Sequence, residues 1–94
     1  MRKISYLAVF EPNDKGYSVY FPDLPGCISY GNSFEEAQTE AEEALWLHLY
    51  SMEKGSDYIP GPSDHPNIDP ETAPGYSVSL ITVYLQRDDK SWGG

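Results

Sequence analysis

Ser33-Phe34-Glu35-Glu36 opens the one long helical pattern in this chain of 94 residues, and everything else must fold around that helix. The Ser33 hydroxyl is placed to cap the Glu36 amide, and the Glu36 carboxylate to reach back to the Ser33 amide. At about 100° of rotation per residue, one stripe holds Phe34, Ala37, Ala41, Ala44, Leu45, His48, Leu49 and Met52. Acidic residues crowd the first half of the run, Lys54 stands in its last turn, and Gly55 follows as the expected C′ residue. That order suits the helix macrodipole.

The flanking segments alternate with period two instead. From Lys3 to Glu11, the residues Ile4, Tyr6, Ala8 and Phe10 point one way, while Leu7 and Val9 share the other face with polar neighbours. Pro12-Asn13-Asp14-Lys15-Gly16 supplies turn chemistry, with Gly16 free to take positive φ. Tyr17 to Phe21 is predicted to return as the second strand of a hairpin. Pro22-Asp23-Leu24-Pro25-Gly26 must leave the ladder, because two prolines lack donors. Cys27 to Gly31 is predicted to resume as a third strand. Ser56 to Gly75 carries five prolines and almost no periodicity, which predicts a long irregular connection of the kind that invites a functional reading. Tyr76 to Leu85 is then β-rich, apolar on both faces, as expected for a strand inside the sheet or one covered by a neighbouring chain. Gln86 to Gly94 is a polar tail with one aromatic residue, Trp92. The predicted fold is α+β, in the order β-β-β-α-β: a small antiparallel-rich sheet with one helix packed on a face, in a single domain over 1–94.

Charge is unevenly placed. Fifteen acids against six Lys and Arg give a net charge of −9. Residues 33–55 carry −5 and residues 56–75 carry −4, while the two remaining segments are each neutral. Such a surface repels phosphate backbones and draws in a basic partner. No stretch approaches the roughly 20 apolar residues of a membrane helix. Cys27 is the only cysteine, so no intramolecular disulfide is available. A cytoplasmic setting is the default expectation.

Few residues offer chemistry. Cys27 and His48 would make a nucleophile–base pair if folding joined them. A small apolar residue at a strand start and a histidine on the packed helix stripe are the commoner assignments. His65 stands alone in the proline-rich segment. Glu11, Asp14, Asp23, Glu35 and Glu36 suggest a magnesium-dependent nuclease only if they converge on one ion. Asp14 is accounted for by a turn and Glu36 by a cap, and no cofactor or metal is expected. Trp46, Leu47 and Tyr50 lie about 120° or more from the centre of the stripe, so one packed face cannot bury all three. Either the long connection folds back over them, or they anchor self-association or a docked partner.

The run Tyr17-Ser18-Val19-Tyr20-Phe21-Pro22-Asp23-Leu24-Pro25-Gly26-Cys27, then Gly31 and Ser33-Phe34-Glu35-Glu36-Ala37, resembles the HicB family of antitoxins over residues 3–55. The resemblance implies a partial RNase H-like fold that lacks the nuclease carboxylates. It also implies a role in binding and neutralising HicA, a small basic toxin that cleaves mRNA. Many family members carry a C-terminal helix-turn-helix or ribbon-helix-helix module that binds operator DNA. The nine residues after Leu85 are too few for either, which argues against direct DNA binding by this chain. A solitary HicB-like domain and a piece of a longer protein both remain open. The proline-rich insert is a second departure from the family's compact pattern.

The expectation is therefore a non-enzymatic antitoxin, homodimeric or larger, whose acidic helix and Ser56–Gly75 segment face a basic toxin. Asp23, Leu24, Trp46, Leu47 and Tyr50 are its expected contact residues. The competing readings are a vestigial RNase H-like, metal-dependent nuclease and an orphan structural domain.

Overall fold

The structure, a computed structural model, describes residues 2–55 and 58–85. Ser56, Asp57 and the predicted tail from Gln86 with Trp92 lie outside the described residues. Strands β1 (Arg2–Asn13), β2 (Gly16–Tyr20) and β3 (Ile28–Gly31) precede helix α1 (Phe34–Lys54), and β4 (Ser77–Leu85) follows it. The four strands form one sheet in the order β3-β2-β1-β4, and all neighbours run antiparallel. This is the predicted α+β arrangement.

The β1–β2 hairpin closes through local chemistry. Asn13 Oδ1 accepts a hydrogen bond from the Lys15 amide at 2.9 Å, and Gly16 takes φ of 142°. A Cβ at Gly16 would lie 2.2 Å from the Gly31 carbonyl oxygen, so the residue is required by space as well as by backbone angle.

Alternation then sorts the sheet into two faces. Cross-strand partners share a face. Ile4 stands opposite Val83 and Tyr6 opposite Ile81. Phe10 stands opposite Val19. Ala37, Ala41, Leu45 and Leu49 of α1 are buried against this layer, and with Phe21, Leu24, Cys27 and Leu85 they complete the core. Phe34 is exposed on one side, yet its ring lies 4.8 Å from Phe10 and edge-on to Tyr17 at 5.6 Å. Burying about a dozen such side chains stabilises the fold by roughly 1.5–3 kcal/mol for each large one, before conformational entropy is counted.

The cap differs from its prediction in one contact. Ser33 Oγ accepts from the Glu36 amide at 3.1 Å as expected. The Glu36 carboxylate bonds the Asn32 amide at 2.6 Å rather than that of Ser33. Gly55 is the C-cap itself, right-handed at φ −84°, so its left-handed freedom goes unused. Cys27 precedes β3 rather than opening it, because residues 21–27 close on themselves: the Phe21 amide bonds the Cys27 carbonyl, the Leu24 amide the Phe21 carbonyl, and the Cys27 amide the Leu24 carbonyl.

The strongest departure concerns β4. Its two apolar faces predict an interior or covered strand, but β4 pairs only with β1 and stands at the edge of the sheet. β1 stands between β4, which pairs along Arg2–Phe10, and β2, which pairs along Val9–Asn13. Hence Val78, Leu80 and Tyr84, on the face away from the helix, are left exposed.

Candidate docking surface

The proline-rich connection is irregular but not loose. Starting on the helix side, the Tyr6 hydroxyl donates to the Pro60 carbonyl, and Ile59 packs against the core. The Ser63 amide donates to Asp23 Oδ2 at 2.8 Å. The chain then reaches the opposite face of the sheet. There the Asp69 amide donates to Tyr20 Oη at 3.1 Å, and the Tyr20 and Thr72 hydroxyls share a bond of 2.6 Å. The Ala73 amide donates to Glu11 Oε1 at 3.1 Å. Tyr20 is the cross-strand partner of Val9, which is fully buried on that face. Residues 58–75 therefore form a strap from one face to the other.

The strap leaves most of the outer surface of α1 open. Its two flanks differ. On one, Trp46 and Tyr50 stack with ring centroids 4.9 Å apart and planes 8° from parallel, and the Lys54 ammonium lies 5.6 Å from the Tyr50 ring centroid. Residues four apart meet on a helix, which is why this pair forms. Trp46 also packs partly against the core, while Tyr50 remains 40% exposed. Glu53 on this flank pairs with Arg2.

On the other flank Leu47 is 51% exposed. With Ala44, His48, Cys27 and Ile28 it lines an open cleft of about 260 Å³ between the helix and the start of β3. Glu36, Glu40 and Glu43 lie along the same side of α1, as their spacing dictates. The site is thus a notch of mixed lining, Ala44, Leu47 and Ile28 beside His48 and Ser51, at the end of an acidic ridge. Ile28, 69% exposed, is its unforeseen member. The signal was available, because an inward Cys27 turns the next residue outward.

The five expected contact residues separate. Trp46, Leu47 and Tyr50 lie on the outer half of α1, divided between its two flanks. Asp23 is half-buried and tied to the strap through Ser63. Leu24 is 1% exposed, a core side chain that fixes the loop from within.

Cys27 and His48 do share the cleft. The Cys27 thiol, however, donates to the Ala44 carbonyl at 3.7 Å, and burial pushes its pKa up to about 11 from 9.0. A nucleophilic cysteine needs the opposite shift. Among the described residues, no three of His, Cys, Asp and Glu gather closely enough to hold a metal ion. Glu11, Asp23 and Glu36 instead accept hydrogen bonds from backbone amides. No helix among the described residues is long and apolar enough to cross a membrane.

A four-stranded antiparallel sheet with one capped helix across it is the HicB-like α+β arrangement. Residues 6–89 match the profile of a family described as the HicB-like antitoxin of bacterial toxin–antitoxin systems. The chain belongs to that family. It is similar to an uncharacterised 14.9 kDa protein of Haemophilus phage HP1, 32% identical over 83% of this chain and 57% of that protein. It is also similar to antitoxin HicB 1 of Photorhabdus laumondii, 27% identical over 90% of this chain and 57% of that protein. The chain thus spans little more than half the length of these two relatives. Among solved structures, a chain of a HicA3–HicB3 toxin–antitoxin complex superposes with a TM-score of 0.66 at 28% identity, covering 82% of this chain and 94% of that one. A chain of a Streptococcus pneumoniae toxin–antitoxin complex shares the fold with a TM-score of 0.71 at 16% identity.

Proposed function

We propose that this chain neutralises a small, basic, HicA-like mRNA-cleaving toxin in the cytoplasm by covering its RNA-binding surface, and that it does no chemistry itself. The observation that carries this reading is the outer half of α1. It presents the exposed Leu47 and Tyr50 and the half-buried Trp46 within a run of residues whose net charge is −5. A cationic surface that evolved to hold RNA finds there both the charge it seeks and apolar anchors to exclude water. Long-range attraction speeds the encounter, while the anchors slow dissociation. The chain's likeness to a chain of the HicA3–HicB3 complex supports the same partner class.

In this reading residues 1–94 act as one unit, the strap adds its negative charge to the same field, and the unit associates with further copies of itself. Asp23 acts by holding the strap in place. Co-expression with the small basic protein encoded beside the gene, followed by co-purification, tests the proposal. A complex is expected at low salt, weakened about tenfold or more by Trp46→Ala, Leu47→Asp or Tyr50→Ala. Absence of any complex at low salt overturns it.

A further inference from the structure

We propose that β4 is the contact edge for a second copy of this chain, the two β4 strands pairing antiparallel across a two-fold axis into one continuous sheet. The inference deepens the self-association proposed above and does not depend on toxin binding.

Natural edge strands are blunted by lysines, prolines or bulges, because an open row of amides and carbonyls recruits another strand. None of these devices is present in β4. Between Ser77 and Leu85 there is no charged residue, no proline and no glycine. Its register with β1 runs unbroken from Arg2 opposite Leu85 to Phe10 opposite Ser77, so no bulge distorts the free side. The edge is about 30 Å long at 3.4 Å per residue. Its outer face adds an apolar row, with Val78 40%, Leu80 58% and Tyr84 55% exposed.

Charge selects the occupant. Copies that each carry −9 repel one another, and least where the facing surfaces are neutral. The acids gather on α1, which packs against the opposite face of the sheet, and on the strap, which reaches the outer face at Tyr20 and Glu11; β4 itself carries no charge, and Lys3 stands opposite its Tyr84. A basic toxin is drawn to the acids and gains nothing electrostatic at β4. A second copy meets there a strand of the same neutral, apolar character, and a two-fold contact is self-complementary by construction. The opposite edge is broken: β3 spans only four residues and runs almost directly into α1, and the Arg2–Ala8 stretch of β1, which β2 does not pair, is separated from it by β2. Strand pairing alone is marginal, and the Val78, Leu80 and Tyr84 row adds cross-strand apolar contacts beside it.

Sedimentation equilibrium of the purified chain without toxin tests the contact. A dimer is expected, with Leu80→Lys and Tyr84→Lys each raising its dissociation constant about tenfold or more while circular dichroism stays unchanged. Amide exchange of wild-type protein supplies a second readout, since β4 amides facing away from β1 should be protected at high concentration and exchange freely at low. A wild-type monomer at high micromolar concentration overturns the proposal, as do lysine variants that dimerise normally or β4 protection independent of concentration. Loss of toxin capture in Leu80→Lys with self-association intact would assign this edge to the toxin instead, which also overturns it.

Discussion

Gly31 and Ala37 stand so close that a Cβ on the glycine would lie 2.2 Å from the Ala37 amide nitrogen and 2.4 Å from its Cα. Only Asn32 and Ser33 separate β3 from α1, so the strand delivers the chain directly beneath the helix's first turn. The obstruction is backbone, which cannot rotate away.

Gly31→Ala should therefore destabilise the fold by about 1–3 kcal/mol or more, because the helix must shift off the sheet to admit one methyl group. Gly26→Ala gives the contrast: nothing lies within 4 Å of its would-be Cβ, but φ is 89°. Its cost should be conformational, about 1–2 kcal/mol. Denaturant midpoints of the two variants separate space from backbone angle. An unchanged midpoint for Gly31→Ala would show that the helix slides freely.

Leu24→Ala should cost about 2–5 kcal/mol, since this fully buried residue leaves a cavity beneath its loop. Thermal unfolding measures the loss. A toxin-binding defect in this variant should disappear when binding is measured well below its lowered melting temperature, as expected of packing rather than contact.

Tyr20→Phe should release the far half of the strap without melting the sheet. The hydroxyl holds both Thr72 and the Asp69 amide. Its loss should lower global stability by about 0.5–1.5 kcal/mol. Limited proteolysis should cut between Asp64 and Glu71 faster than in wild type, and equal cutting rates would count against the anchoring role.

Stability should decline as pH rises from about 9 to about 11. Burial raises the Cys27 thiol to about 11 from 9.0, so across that window the folded state keeps a proton that the unfolded chain has lost. Tyr6, raised by burial first and then by negative charge on Asp23 and Tyr58, adds to the decline above pH 10. Cys27→Ala should flatten the first part of the alkaline limb, as read by denaturant titration at several pH values. A slope identical to wild type would remove Cys27 as its source.

The extent of the helix was legible in the sequence, because a cap, a small-residue stripe and a charge gradient are all local signals, while the partner of Glu36 and the place of Gly55 were not. The strands were legible to within a residue or two for the same reason. Position within the sheet was not. Two-faced apolarity in β4 fits an interior strand or one covered by a neighbouring chain equally well, and only its pairing with β1 alone removes the interior reading. The anchors of the strap were also hidden: alternation puts Tyr20 on the face opposite Val19, but no local signal says that its hydroxyl meets residues 49 and 52 positions away. Leu24 looked like a contact because its neighbours are turn formers. Two successive hydrogen-bonded turns tuck it under the loop instead.

The unequal margins of the sheet limit how far association can go. A sheet with two long open margins adds molecules indefinitely and grows into a fibre. Here β3 offers four residues and β4 nine, so two molecules joined along the longer margin would keep as open margins only the β3 strands and the Arg2–Ala8 stretch of β1, which β2 does not pair. In the proposed pair, further growth would have only shorter margins to use than the one already joined, which favours a pair over a fibre.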